Sequence, residues 1–501
     1  MVGGDADPVV RKDHEVEDGR KAASYDLVVI GAGGAGSTAA GEAIGRGAKV
    51  AMVERWKVGG TCLNVGCDPT KTMVRSAQIL HLARHAERFG IQAAEVGADW
   101  PAVMRRVERV IDTIRGGDGD QNVRNSGVTL YKASATFRSS HEIDVDGQTI
   151  YGDKIIVATG ARWIQPPIVG LAEVGYITNV EAVALPALPR SLAIIGGGVV
   201  AVEFAQIFAR FGVEVTILGS ADRLLPREDA DLSHALQAIL EREGIRVETG
   251  VRVRCAEFKD GLKCLGGDRG DDRFELCRAE EILVAAGRAP AVDGLNLEAA
   301  GVTYDPKQGI TVDDELRTTT SHIWAIGDVV SQYAFTHVAD YQARIAEHNA
   351  MSGRPPRRVD YRVVPWVTFT DPELARVGLT EQEARDAGYD VKVGVVPVKD
   401  LARAVTSGET DGLVKVIADG TTGEILGGHI LAAHAGELLA EVALAMQARL
   451  PAAVIADTIH AYPTLSEGIF WAAYELAKPD EPTLDAIRGH QSPYGQVPAD
   501  V

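Results

Sequence analysis

Cysteine is scarce. The 501-residue chain carries five, an odd number at low density, which excludes the disulfide framework of a small extracellular domain. No run of about 18 apolar residues occurs, so no membrane-spanning helix is expected. Positive charge is also short: 51 Lys and Arg face 70 Asp and Glu, and a net charge of −19 repels both nucleic-acid phosphates and anionic membranes. The first 24 residues are polar and mixed in charge, without the apolar core of a signal peptide, so they read as a solvated tail on a cytoplasmic protein. Glycine, in contrast, is abundant. Its 54 copies exceed the usual ~7% and gather in tight turns after short apolar runs, where backbone must approach a bound group closely. With 46% hydrophobic and 24% charged residues, the chain has the composition of a soluble globular protein of about three or four domains.

From Tyr25 the pattern changes to Leu27-Val28-Val29-Ile30, then Gly31-Ala32-Gly33-Gly34-Ala35-Gly36, then an Ala-rich helical stretch to about Gly45. A second strand over residues 49–53 ends at Glu54. Strand, glycine turn, helix and strand in this order open a doubly wound parallel sheet. The same order returns at residues 191–195, with Gly196-Gly197-Gly198, a helix through Phe211 and a strand over 214–218. Two such units in one chain predict two nucleotide cofactors. Two further strand turns end in Thr159-Gly160 and at Gly287, placed to cover a nucleotide or to mark crossings between domains. Beyond Val363, β-type runs at 412–417 and 424–430 and a helix over 435–449 read as a separate α+β domain.

Gly31, Gly33 and Gly36 have the G-x-G-x-x-G spacing, and Glu54 follows at the distance of the ribose-binding acid. The glycines let a helix N-terminus meet a pyrophosphate, and the carboxylate accepts from a ribose diol. In the second turn the third position is Ala201, which meets the same packing requirement. Its strand ends in Leu218-Gly219-Ser220 without a carboxylate, while Arg223 and Arg227 follow. That pattern favours the 2′-phosphate of NADPH over NADH, with NADH possible.

The segment Gly59-Gly60-Thr61-Cys62-Leu63-Asn64-Val65-Gly66-Cys67-Asp68-Pro69-Thr70-Lys71 places two thiols five residues apart at the opening of a helix, whose positive end lowers a thiolate pKa. A static disulfide or half a metal site is the alternative. A metal site needs two further ligands at short spacing, and Cys255, Cys264 and Cys277 lie far along the chain, reading as small buried residues. Asp68 beside the second thiol reads as a solvent-side acid at a helix start.

Over residues 25–478 this combination resembles the FAD-dependent pyridine nucleotide-disulfide oxidoreductases, the family of glutathione reductase, dihydrolipoyl dehydrogenase and mercuric reductase. Residues 320–328, ending in Trp324-Ala325-Ile326-Gly327-Asp328, resemble its second flavin segment, and Phe369-Thr370-Asp371-Pro372-Glu373 resembles the start of its dimer-interface domain. The resemblance implies two Rossmann-like domains plus an α+β dimerisation domain. Their expected limits are an FAD domain at 25–165 and 290–362, an NAD(P)H domain at 166–289 and an interface domain at 363–501. It implies FAD held by the first turn with Glu54, Gly60, Thr61, Lys71, Thr159, Gly160, Gly327 and Asp328, and NAD(P)H held by the second turn with Glu203, Arg223 and Gly287. Cys67 becomes the thiolate facing the flavin, Cys62 the outer thiol that meets substrate, and Lys71 with Glu203 the ion pair on the nicotinamide side.

At Thr458-Ile459-His460-Ala461-Tyr462-Pro463-Thr464-Leu465-Ser466-Glu467-Gly468, the family's disulfide reductases place a histidine acid directly before Pro-Thr; here Tyr462 stands there. Mercuric reductases resemble the chain at that position and at Val199-Val200-Ala201, while the chain ends Gln496-Val497-Pro498-Ala499-Asp500-Val501 without the vicinal cysteines usual in them. By the resemblance, Tyr462 and Glu467 of one protomer complete the active site of its homodimer partner. Three readings follow: a reductase of a soft metal ion; a disulfide reductase with His460 as a replacement acid; and a non-catalytic flavoprotein that senses NAD(P)H.

Overall fold

The computed structural model describes residues 22–93, 96–330 and 333–477. Most of the expected N-terminal tail and the stretch from 478 onward lie outside the described residues. The chain divides into two compact units. One comprises residues up to Thr72, Met104–Gln165 and Gly287–Val359; the other comprises Met73–Val103, Pro166–Ala286 and residues from Asp360 on.

The first unit is built on a seven-stranded sheet. Its centre is Ala23–Ile30, parallel to Val50–Val53 on one side and to Gln148–Val157 on the other. Leu27 to Ile30 are buried, as a parallel strand covered on both faces requires. On its other edge, strand Gln148–Val157 serves two more partners: its first half pairs antiparallel with Glu142–Val145, and its second half runs parallel to Ile323–Ala325. Ala23 and Ser24 pair with Ile150 and Tyr151, so the strand takes in two residues that the sequence pattern assigns to the tail. The long neighbouring strand offers them a partner that no local signal announces.

In the second unit, the strands Arg246–Glu248, Glu214–Leu218, Ser191–Ile195 and Glu281–Val284 form a four-stranded parallel sheet in that order. Strands Arg252–Lys259, Leu262–Arg269 and Asp272–Ala279 form an antiparallel meander. A separate five-stranded antiparallel sheet contains Leu413–Asp419 and Ile425–Ala432, and helices Ala435–Gln447 and Glu467–Ala477 share its apolar core. An ion cluster around the buried Lys415 ties these layers: its ammonium meets Asp229 at 3.0 Å, and Asp231 and Glu381 each at 2.8 Å.

The chain crosses between units after Gln165, Ala286 and Val359; the residues from Asp360 on group with Pro166–Ala286, and so does Met73–Val103. The cause is local packing, since Trp100 Nε1 donates to the Leu185 carbonyl at 2.8 Å and its ring packs on Phe208 and Phe211. One correction concerns Cys255. Cys264 and Cys277 are buried as expected, but Cys255 is exposed, because the register of its strand slips between Val253 and Cys255 and turns its side chain outward. No helix of the described residues is long and apolar enough to cross a membrane.

Candidate active site

In the first unit, Gly31 lies where the strand Ala23–Ile30 passes into the helix Gly34–Gly45, with Gly33 capping that helix and Gly36 buried within it. Gly31 has a φ of +108°, and a Cβ on it would run into the Ala158 carbonyl. Glu54 is anchored beside the turn: its carboxylate accepts from Ala32 N at 2.8 Å and from Trp56 N at 2.6 Å. These are the parts of a dinucleotide site. Around them, Thr159 Oγ1 donates to Ala291 O at 2.8 Å, Gly160 takes a φ of +72°, and Gly327 N donates to Gln342.

Arg288, which sequence reasoning missed, links several of the expected residues. Its guanidinium donates to Asp328 at 2.6 Å, to Thr61 Oγ1 at 3.3 Å and to Ala161 O at 3.0 Å, and stacks on Trp163. Its buried Nε has no hydrogen-bond partner among the described residues. A backbone cradle without Cβ atoms, an anchored carboxylate and a buried polar atom left over fit a bound FAD. FAD supplies the two-electron carrier between nicotinamide and thiols. No periodic or spaced signal marks Arg288 beyond its place directly after Gly287.

The two cysteines come together through a turn that only glycine permits. Cys62 lies in the short helix Gly60–Val65 and Cys67 opens the helix Cys67–Arg84. Between them, a Cβ on Gly66 would lie 2.9 Å from the Thr61 carbonyl oxygen. Asn64 fixes the first helix by donating to Val58 O at 3.0 Å and Gly60 O at 2.8 Å, and Arg115 holds its side-chain oxygen.

Both thiols are free and half-buried, and their surroundings divide them. The Cys62 thiol donates to Cys67, which lowers the Cys67 pKa to about 6, with further help from Thr336 and Lys71 against burial. The same hydrogen bond, together with burial, pushes Cys62 up, so one proton stays on Cys62 while Cys67 is a thiolate at neutral pH. Thr336 Oγ1 lies 3.6 Å from Cys67 Sγ, at the start of the helix Thr336–Met351, and is the second functional residue the sequence reading missed. Asp68 is half-buried rather than turned fully to solvent; burial raises its pKa, and its charge opposes the neighbouring thiolate.

The second unit repeats the first turn. Gly196 has a φ of +129°, a Cβ there would meet the Ala285 carbonyl, and Gly198 caps the helix Val199–Arg210, in which Ala201 and Glu203 are buried. Gly287 follows the last strand of that sheet with a φ of +111°. The two arginines expected to meet a 2′-phosphate are already engaged. Arg223 donates to the carbonyls of Pro226 and Glu228 at 2.9 and 3.2 Å, and Arg227 lies over the Trp366 ring.

In the same unit Tyr462 is 68% exposed, and Glu467 accepts from Thr464 N at 3.2 Å. His460 is held at both ring nitrogens. Its Nε2 lies 2.8 Å from Glu441 and its Nδ1 2.8 Å from the Thr458 carbonyl, with a side chain only 9% exposed.

Comparison with known proteins bears on this arrangement. The family described as pyridine nucleotide-disulphide oxidoreductase matches residues 25–343, and that family's dimerisation domain matches residues 364–473. This chain belongs to that family. As a member it is an FAD-dependent oxidoreductase that uses NAD(P)H, and the second match fits a homodimer. A mercuric reductase of Staphylococcus aureus is 37% identical over 454 residues, covering 91% of this chain and 83% of the relative. A dihydrolipoyl dehydrogenase of Thermus scotoductus is 38% identical over 460 residues, covering 91% of this chain and 98% of the relative. Among solved structures, the Cu(II) complex of the HOCl-induced flavoprotein disulfide reductase RclA from Escherichia coli superposes with a TM-score of 0.80 at 32% identity. It covers 90% of this chain and 100% of that one.

Proposed function

We propose that this oxidoreductase uses NAD(P)H to reduce a soft metal ion, such as thiol-bound Hg(II), at the Cys62 and Cys67 dithiol. The observation that carries the reading is the state of the two candidate acids. A disulfide reductase needs a proton donor for the departing thiolate; the slot before Pro463 holds Tyr462, and the neighbouring histidine, His460, is tied to Glu441. Metal capture has no such requirement, and a thiolate with a pKa of about 6 paired with a second sulfur is a soft-cation ligand at neutral pH. The likeness to a mercuric reductase and to a relative with a Cu(II) complex supports it. Lys71 and Glu203 serve the nicotinamide side, and Tyr462 and Glu467 complete the site of the partner protomer. With Arg223 and Arg227 engaged, NADH should serve about as well as NADPH.

The test is nucleotide oxidation by the purified FAD-loaded dimer with the Hg(II) thiol complex, glutathione disulfide and lipoamide at matched concentrations. Turnover with the metal complex alone supports the proposal. Turnover with lipoamide alone overturns it in favour of a disulfide reductase, the reading favoured by the dihydrolipoyl dehydrogenase relatives. In that case Tyr462→His should leave disulfide turnover unchanged; under the metal reading it should raise it about tenfold. No turnover with any acceptor leaves the NAD(P)H-sensing reading. The thiol assignment has its own check: because the Cys67 pKa is depressed, the dithiol enzyme should show ultraviolet thiolate absorbance at neutral pH that falls as pH drops through about 6. A midpoint near the ordinary thiol value would refute it.

A further inference from the structure

The helix Val199–Arg210 carries Glu203, Gln206 and Arg210 at a spacing that puts all three on one face. All three are buried, at 3%, 4% and 7% exposure, where a helix ordinarily places apolar side chains. Burial of that kind is tolerated only when the polar groups are satisfied. Here all three grip one short segment. Phe369 N donates to Glu203 Oε1 at 2.8 Å. Gln206 accepts from Asp371 N and donates to Asp371 O, both at 2.8 Å, so its amide runs beside that residue as a neighbouring strand would. Arg210 Nη1 donates to the Asp371 carboxylate at 2.6 Å. Behind them, Glu243 fixes the grip by accepting from Arg210 Nε at 2.9 Å, from Arg210 Nη2 at 2.7 Å and from Gln206 at 3.0 Å.

We propose that Gln206 and Arg210 are positioning residues for the nicotinamide-side carboxylate of Glu203, acting through the Phe369 to Asp371 segment. The inference rests on the reading of Glu203 as that carboxylate. A glutamate side chain has three rotatable bonds, and the Phe369 N–H restrains one of its oxygens. The place of that N–H is set two residues further on, at Asp371, by Gln206 and Arg210. The segment therefore relays the rigidity of the Glu243 cluster to the Glu203 carboxylate, and the start of the family's dimerisation domain becomes part of the nucleotide site.

The experiment uses the FAD-loaded full chain and separates the two half-reactions. Anaerobic stopped flow follows flavin reduction by NADPH and by its 4-deuterated form. Reoxidation of the reduced enzyme by 5,5′-dithiobis(2-nitrobenzoate) is followed separately. Gln206→Met, which keeps the volume and deletes the hydrogen bonds, should slow reduction about tenfold and raise the isotope effect, with reoxidation within twofold of the parent. Reduction within twofold of the parent, or equal slowing of both half-reactions, would overturn the proposal. Glu203→Gln tests the underlying reading: if it leaves flavin reduction unchanged, that reading fails. If it slows reduction while Gln206→Met does not, only the positioning role fails. Combining the two substitutions should slow reduction no further than Glu203→Gln alone, since Gln206 acts through Glu203; additive effects would count against the relay. Should Gln206→Met not retain flavin, Arg210→Lys keeps the buried charge but loses the forked contact, and a parental reduction rate in that variant would overturn the proposal.

Discussion

The two glycine turns follow one plan and differ at one place. In the first, Gly31 N donates to Val53 O at 2.8 Å, Ala158 N to Ile30 O at 2.8 Å and Glu54 N to Tyr131 O at 2.9 Å. In the second, Gly196 N donates to Leu218 O at 2.9 Å, Ala285 N to Ile195 O at 2.8 Å and Gly219 N to Glu248 O at 2.8 Å. Gly219 thus occupies the backbone position of Glu54, and the second turn has the frame of the first without its carboxylate. The frame comes from sheet hydrogen bonding and positive-φ glycines, whereas the choice of nucleotide rests on one side chain at the strand end and on what the following loop does with its charges.

The largest effects should come from filling the frame. Gly31→Ala and Gly196→Ala each place a Cβ against a carbonyl at a positive φ, a change that costs roughly 2–5 kcal/mol. Gly31→Ala should abolish flavin retention, read as the ratio of flavin to protein absorbance. Gly196→Ala should keep its flavin and raise the KM for NAD(P)H by about tenfold or more. Equal loss of flavin in both would break the division of the two turns between two nucleotides. Glu54→Ala should come next: a charged acceptor is worth about 1.5–3 kcal/mol, so FAD should dissociate roughly ten to a hundred times more readily in a dilution assay.

Gly219→Glu sharpens the comparison by giving the second turn the acid of the first. The position has room, with a Cβ lying 3.7 Å from Gly197 Cα and 3.9 Å from Glu248 O. The ratio of kcat/KM for NADH to that for NADPH should rise about tenfold, since the carboxylate accepts from a free 2′-hydroxyl and repels a 2′-phosphate. Arg223→Gln should do least. Its guanidinium serves loop carbonyls, so the same ratio should move less than about twofold, and a large fall in NADPH use would show that it leaves those carbonyls to meet a phosphate.

Much of this was readable before any fold was seen. Both turns, the paired thiols and the dimerisation domain announce themselves through residues close together in sequence, where spacing and secondary structure translate directly into geometry. Helix Gly34–Gly45 and strand Glu214–Leu218 lie where the pattern predicts them. Arg288 and Thr336 were not legible. Thr336 stands 269 positions from Cys67 and Arg288 stands 227 from Thr61, and nothing local to either residue signals its partner. The partner of His460 was not legible either, because Glu441 stands 19 positions away on the helix Ala435–Gln447. Arg223 and Arg227 look like free cations in a loop until the carbonyls and the Trp366 ring that engage them are placed.

The sequence by itself determined the family grammar: which turns can cradle a dinucleotide, which thiols form a pair, and which slot lacks its histidine. Those are properties of short segments, decided by glycine conformation, helix polarity and residue type. Only the tertiary structure decided which charges are still available for chemistry. It put the thiolate on Cys67 and the proton on Cys62, fastened His460 to Glu441, and set three polar side chains of one helix around Phe369 to Asp371. The physical reason is that a pKa, an ion pair or a buried hydrogen bond depends on the distance between groups, and distance between remote residues is fixed by folding rather than by their order in the chain.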